Sequence, residues 1–253
     1  MNYNPPRKRN LYAPGSVEPF KLSRSKIENF TRCPRCFYLD RRLGIDQPPT
    51  PGFTLNIAVN DLLVKEFDGY RERGEPHPIM IEHGLRTTPL KHEHLNKWRA
   101  NFTGVQFHHK PTNLLLTGAV DDLWVNEKAE LIVVDYKATA KKEEVTLTSK
   151  WQESYKRQVE IYQWLFRQNG FTVNSTAYFL YCNGDSSKPT FNKRLEFRVQ
   201  LIPHEGNIDW IEPTLLALHQ CLQQDDLPDS NPECEYCLYR KAASISETLL
   251  LAK

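Results

Sequence analysis

Apolar residues recur along this chain in two distinct periods, and the change from one to the other marks the predicted elements. A helical period opens at Ser23 in "SRSKIENFTRCPRCFYLDRRLGI" and is broken at Pro34, so two helical stretches are expected there, with Ser25 and Glu28 spaced as a capping box. "TLNIAVNDLLVKEFDGYRERG" reads as a long amphipathic helix stopping near Gly74. "SKWQESYKRQVEIYQWLFRQNG" reads as another, stopping at Gly170, and "DWIEPTLLALHQCLQQDDLP" as a third. The period shortens to that of strands in "NLLLTGAVDDLWV" and "AELIVVDYKAT", joined by a tight "NEKA" turn, and again in "NSTAYFLYCNG" and "RLEFRVQLI". "PPTPG" (48–52) is a loop, residues 75–110 show only some helix around "LKHEHLNKWRANF", and a cysteine-bearing loop (230–239) with a short tail closes the chain. The order is helices, hairpin, helix, two strands, helix. It predicts an α/β fold with a small mixed sheet flanked by helices.

Composition adds bounds. The chain has 253 residues, 40% hydrophobic and 25% charged, enough for one large domain with a real core. Residues 1–20, rich in Pro and Asn, read as a flexible arm on which Arg7, Lys8 and Arg9 are solvated; residues 21–253 read as a single domain. A net charge of +2 gives no global polybasic signal, so a nucleic-acid partner needs a local basic channel. No apolar run is long enough to span a membrane, and the N-terminus has no apolar signal segment. The expected location is cytoplasmic.

The candidate chemistry begins in "LIVVDYK". Asp135 and Lys137 are two apart on a strand and share a face with Leu131 and Val133; Ile132, Val134 and Tyr136 line the other. With both faces apolar, this is a central, doubly covered strand. A carboxylate there costs several kcal/mol, on the order of 2–7, unless it is paired or binds a metal. If the hairpin centres near Lys128, Asp121 falls opposite Asp135, and a divalent cation between the two acids would relieve their repulsion. Lys137 beside them can hold a phosphate or polarise a water, which is what metal-assisted phosphodiester hydrolysis requires. Taken alone, D-x-K is a common tripeptide, and a buried Asp–Lys ion pair accounts for it. Asp122 must point away from Asp121 and reads as structural. "KHEH" (His92, His94) and "HH" (His108, His109) read as solvated loop.

Two further patterns bear on the site. Gln158 and Tyr162 in "QVEIY" lie at i and i+4 on one helix face. Cys33–Cys36 and Cys234–Cys237 form two C-x2-C pairs at opposite ends of the chain; four thiolates suit Zn²⁺ or an iron–sulfur cluster. Such a site would be a clasp between 25–40 and 228–245, and closing so long a loop has a large entropic return. Cys221 is an alternative ligand inside an apolar helix, and Cys182 reads as a small core residue. Lys141, Lys142, Lys150, Lys156 and Arg157 are candidate phosphate contacts, and Trp151 or Tyr155 could stack on an unpaired base.

Together, G-x-x-D at Gly118–Asp121, D-x-K at Asp135–Lys137 and Q-x-x-x-Y at Gln158–Tyr162 resemble the PD-(D/E)XK nuclease superfamily. Within it they are similar to RecB/AddB-type exonucleases and the CRISPR-associated adaptation nuclease. The resemblance implies a restriction-endonuclease-like core and a Mg²⁺- or Mn²⁺-dependent deoxyribonuclease acting on single-stranded ends, in recombination, repair, phage replication or CRISPR adaptation. It implies Asp121, Asp135 and the backbone carbonyl of Tyr136 as metal ligands, Lys137 as the catalytic lysine, and Gln158 and Tyr162 as the motif helix against the active site and DNA. The family's G-x-x-x-H falls on "NIAVN", where Asn56 takes the glycine position and Asn60 the histidine position as a weaker metal donor; neighbouring Asp61 faces differently. The resemblance also implies a [4Fe–4S] cluster, with Zn²⁺ as the alternative. The family uses one N-terminal and three C-terminal cysteines, whereas here the last position is Ala243, so Cys33, Cys36, Cys234 and Cys237 would serve together. The alternative function is a catalytically weak DNA-binding module, or an accessory subunit of a helicase or integrase complex; the chain has no P-loop of its own.

Overall fold

The computed structural model describes residues 6–48, 52 and 54–251, so most of the "PPTPG" loop lies outside the described residues. The structure divides into two compact units. The described residues of unit 1 are 6–48, 108–116 and 209–251; those of unit 2 are 52, 54–107 and 117–208. The fold is mixed α/β with mixed sheets flanked by helices, consistent with a restriction-endonuclease-like core. Among the described residues no helix is long and apolar enough to cross a membrane.

Unit 2 is organised by a five-stranded sheet in the order β2-β5-β6-β7-β8: β2 is Thr87–Pro89, β5 Asp122–Asn126, β6 Leu131–Thr139, β7 Thr176–Gly184 and β8 Phe197–Glu205. β6 and β7 are parallel; the other pairs are antiparallel. The parallel pair needs a crossover, which the helix Glu153–Gln168 provides. The face of β6 bearing Ile132, Val134 and Tyr136 joins Trp124 and Leu180 in a core closed by Val59, Leu63 and Phe67 of the helix Thr54–Arg73. The crossover helix packs against β6 as well, so this strand is covered as its sequence requires. In the hairpin turn, the Asn126 side-chain oxygen accepts from the backbone N–H of Lys128 (3.0 Å) and Glu130 (2.9 Å).

The expected long strand "NLLLTGAVDDLWV" is two strands. Leu114–Gly118 (β4) sits in a second sheet, ordered β1-β4-β3 with Phe20–Ser23 (β1) and Val105–His109 (β3). The break at Ala119–Asp121 frees Asp121 from the ladder. Residues 75–110 hold more structure than their pattern showed: short helices Pro78–Glu82 and Leu95–Arg99 besides β2 and β3.

Unit 1 packs the helices Arg24–Arg32 (α1) and Pro34–Arg41 (α2) against Ile211–Gln223 (α7). Numbered in the same chain order, the helices Thr54–Arg73, Pro78–Glu82, Leu95–Arg99 and Glu153–Gln168 are α3 to α6. Pro34 opens α2 rather than merely ending α1, since its missing N–H costs nothing at a first helical position. The cap of α1 is Ser23, not Ser25, and its side chain makes no capping bond. The closing loop and tail are instead a helix, Glu235–Leu251 (α8), with no buried residue.

The N-terminal stretch is held at two points, while Lys8, Arg9 and residues 13–19 are exposed. Arg7 donates to Asp40, its backbone N–H bonds to the Gly44 carbonyl (3.0 Å), and Tyr12 is buried. His109 is likewise buried rather than solvated, between Thr112 (2.7 Å) and Glu212 (2.9 Å). Asp40 is the ionic centre of this unit: besides Arg7 it meets Lys26 at 2.8 Å and both forks of Arg41 at 2.7 and 2.9 Å. Burial alone would raise its pKa, but hydrogen bonds from Arg41 and Lys26, the Arg41 charge and Arg7 outweigh it and hold the carboxyl below its usual value. A depressed carboxylate contributes stability that is present above about pH 4 and is lost as pH falls through the lower folded-state value. Urea unfolding midpoints measured from neutral pH down to about pH 3 should therefore fall steeply for the wild type below about pH 4. Asp40→Asn should be less stable at neutral pH and lose much less over that acid window.

Candidate active site and thiolate cluster

The alternation of a strand decides which groups meet. In β6, Asp135 and Lys137 point to the face turned toward α6, and the Lys137 ammonium pairs with Asp135 Oδ2. β5 pairs with β6 in the register Asp122↔Val134 and Leu123↔Val133; one further step sets Asp121 against Asp135. The two carboxyls are close enough to hydrogen-bond to each other. Asp121 Oδ2 also accepts the Tyr136 backbone N–H at 2.8 Å. The Asp121 carboxyl is pushed up to about 7, first by burial and then by the Asp135 charge, against the opposing pull of Lys137 and the Tyr136 N–H. Burial works to lower the Lys137 pKa, but the charges of Asp135 and Asp121 raise it overall, so the ammonium is firmly held.

The other expected residues converge here. Gln158 on α6 donates to Asp135 Oδ1 at 2.7 Å and to the Tyr162 hydroxyl at 3.2 Å. The Tyr162 ring in turn lies against Gly118. A Cβ added at Gly118 would come within 2.6 Å of Tyr162 Cε1 and 3.1 Å of Leu165 Cδ1, so this glycine is needed for close approach. A cavity of about 220 Å³ opens beside Lys137, lined by Asn56, Val59, Asn60, Tyr136, Ala138 and Tyr155. Asn56 and Asn60, one turn apart on α3, both face it, and Asn56 Nδ2 donates to the Ala138 carbonyl at 3.2 Å. Asp61 is exposed and does not line it.

The donor set fits a divalent cation. Asp135 Oδ2 is buried with the Lys137 ammonium against it, and two facing carboxylates need a proton or a further cation between them.

Asp122 has the opposite fate. It is fully buried and points into the packed side of the hairpin, where Arg71 and Arg99 (2.5 Å) donate to Oδ1 and the Tyr136 hydroxyl donates to Oδ2 (2.8 Å). Asp68 bridges the same two guanidinium groups. Tyr136 is thus held at both ends, its hydroxyl by Asp122 and its N–H by Asp121. Nothing local in the sequence signals this network, because Asp68, Arg71 and Arg99 lie on other elements. Tyr155, as a wall of the cavity, follows from its i, i+3, i+7 spacing with Gln158 and Tyr162.

In unit 1 the two C-x2-C pairs come together. Cys33 and Cys36 flank the start of α2, and Cys234 and Cys237 the start of α8. Cys36 Sγ lies 3.6 Å from both Cys234 and Cys237 Sγ; Cys33 Sγ lies 3.9 Å from Cys237 Sγ; all four sulfurs fall within 4.8 Å of one another. A group this tight can hold a metal. Cys221 and Cys182 are buried elsewhere and do not join it. A single ion bound by four thiolates at ~2.3 Å in tetrahedral geometry sets its sulfurs about 3.8 Å apart, which matches the observed separations.

A family model for the PD-(D/E)XK nuclease superfamily matches residues 56–242. No curated protein matches the chain. Among solved structures, the crystal structure of SSO0001 is similar over 89% of this chain and 86% of that one, at 15% identity and a TM-score of 0.39, too low for any detail to be carried across.

Gly118→Ala should force Tyr162 aside and cost roughly 1–3 kcal/mol in thermal or urea unfolding. In a Tyr162→Ala background the same change should cost far less, so the double-mutant cycle measures the contact directly.

Proposed function

The chain belongs to the PD-(D/E)XK nuclease superfamily, and from that premise we propose that it is a Mg²⁺- or Mn²⁺-dependent deoxyribonuclease whose working groups are Asp121, Asp135 and Lys137. The observation that carries this is the juxtaposition itself: two facing carboxylates with a held ammonium on the same strand face as Asp135, the ammonium's residue lining an open cavity. A divalent ion held by Asp121 and Asp135, with Asn60 and the Tyr136 carbonyl as further oxygen donors, would supply a Lewis acid for the phosphate and lower the pKa of a bound water. The chain's own residues do the rest. Gln158 occupies Asp135 Oδ1 and the Tyr136 N–H occupies Asp121 Oδ2, which fixes both carboxylates; the second oxygen of Asp121 and Asp135 Oδ2, the latter shared with the Lys137 ammonium, are the atoms that would meet the ion. Tyr162 holds Gln158. Lys137 keeps a positive charge where negative charge develops on the phosphoryl oxygens. Asn60 in place of histidine makes the donor set entirely oxygen, which favours Mg²⁺.

Action on single-stranded ends, and a role in recombination, repair, phage replication or CRISPR adaptation, rest on the resemblance to RecB/AddB-type enzymes. Asn60 also supports a second reading: a weakly catalytic DNA-binding module, or a subunit activated by a helicase or integrase partner.

For the clasp, the sulfur separations favour a single tetrahedral ion over [4Fe–4S]. In a cluster each thiolate binds a different iron and points outward from its own corner, which sets the sulfurs farther apart than one shared ion does. Zn²⁺ is the ion that four thiolates at this spacing suit.

Labelled single- and double-stranded DNA incubated with Mg²⁺, with Mn²⁺ and with no added metal tests the nuclease reading. Cleavage should require the metal and should fall by at least two orders of magnitude in Lys137→Ala. Binding without cleavage in either metal would favour the second reading. Elemental analysis of protein purified without chelator should give about one zinc per chain and no visible charge-transfer absorption. Brown protein with about four irons per chain would establish the cluster instead.

A further inference from the structure

Trp151, Tyr155, Gln158 and Tyr162 are spaced four, three and four residues apart. They form one row along α6 and the 3-10 turn Lys150–Gln152 that precedes it. The inner end of this row has been accounted for: Tyr162 and Gln158 hold Asp135. Next outward, Tyr155 lines the active-site cavity with the Lys137 ammonium 4.6 Å over its ring. At the outer end Trp151 stands edge-on to Tyr155, with ring centroids 5.3 Å apart and an interplanar angle of 87°. The Lys141 ammonium lies 5.1 Å over its indole. Trp151 is 52% exposed, although an indole is among the side chains that gain most from burial.

We propose that Trp151, backed by Tyr155 and Lys141, is a stacking platform that seats an unpaired nucleobase beside the scissile phosphate. What it stands beside rests on the nuclease reading above; the platform itself rests on this row of side chains. A half-exposed indole with an ammonium beside it is the chemistry that recognises a nucleotide, with the base on the ring and the phosphate on the cation. In a duplex both faces of a base are already stacked, so the platform selects unpaired nucleotides.

Its backbone is held in advance. The fully buried Gln152 folds back onto its own turn, accepting from the Ser149 N–H at 2.9 Å and donating to the Thr146 carbonyl. Lys141 is pinned by Asn183, which accepts its N–H at 2.7 Å and donates to its carbonyl at 3.0 Å. Only the indole and the lysine stem remain free to adjust. A row of this kind carries a strand from the solvent edge, past Trp151 and Tyr155, to the carboxylates.

The test is affinity for a labelled short oligothymidylate and for a duplex of equal length, by fluorescence anisotropy. It is run without Mg²⁺ or Mn²⁺ so that nothing is cut, and without chelator so that the thiolate site keeps its ion. Trp151→Ala should weaken oligothymidylate binding roughly tenfold and leave duplex binding unchanged. Trp151→Phe, which keeps a ring, should retain most of the affinity. Lys141→Ala should weaken both ligands and lower the salt dependence of binding. Equal losses on single strand and duplex in Trp151→Ala, no loss on either, a Phe variant as weak as the Ala variant, or no binding of oligothymidylate by the wild type would each overturn the platform. Because the assay contains no cleavage step, failure of the nuclease reading would show separately, as absence of metal-dependent cutting by the wild type.

Discussion

Two carboxylates held against each other at the end of a covered hairpin are the constraint around which unit 2 is arranged. Asp121 and Asp135 repel, and burial sharpens the repulsion by removing the water that would screen it. Folding to this arrangement is uphill unless other contacts hold it, and those contacts can be named. Gln158 takes one oxygen of Asp135, the Tyr136 N–H takes one oxygen of Asp121, and the Lys137 ammonium sits on the remaining side. What these partners leave unsatisfied is a concentrated negative site with a geometry fixed before any cation arrives. That is the physical meaning of preorganisation here: the cost of bringing the charges together is met by the fold, not by the ligand.

The neighbouring acids Asp121 and Asp122 show how a single step along the chain separates chemistry from scaffolding. Because consecutive side chains on an extended segment point to opposite faces, one carboxylate turns toward Asp135 and the other into the packed side of the hairpin. Asp122 is the more buried of the two, yet two guanidinium groups and a phenol satisfy it, so it is a structural anchor and not a reactive group. The two acids are coupled through Tyr136, whose hydroxyl meets one and whose backbone N–H meets the other. The arginine network on α3 and α5 thereby sets the strand segment that carries the D-x-K triad.

The elements that were legible in the sequence are those whose evidence is local. The period of "LIVVDYK" points to a doubly covered strand, and a turn centred at Lys128 puts Asp121 against Asp135, one step beyond the observed pair Asp122↔Val134. Gln158 and Tyr162 needed only helical spacing, and the C-x2-C pairs only their own pattern. The expectations that failed depended on distant partners. The strand "NLLLTGAVDDLWV" divides because its two halves pair in different sheets. His109 is buried because Glu212, far along the chain, supplies a hydrogen bond. Arg7 is not solvated because Asp40 draws it in. Gly118 stands between these classes: its motif position was visible, but its reason is the Tyr162 ring, which only the fold brings there.

The thiolate cluster acts on a different part of the free energy. Its pairs, Cys33–Cys36 and Cys234–Cys237, lie 198 positions apart between their nearer members, and the loop they close contains every residue of unit 2. Loop-closure entropy grows only logarithmically with length, so bringing these two distant pairs together costs the chain little more than closing a much shorter loop would. An ion held there would link metal affinity to folding free energy, since the four thiolates converge only in the folded chain. The helix α8 makes the link concrete. It buries none of its own residues, and Cys234 and Cys237 at its start are where it meets the helices of unit 1 through sulfur.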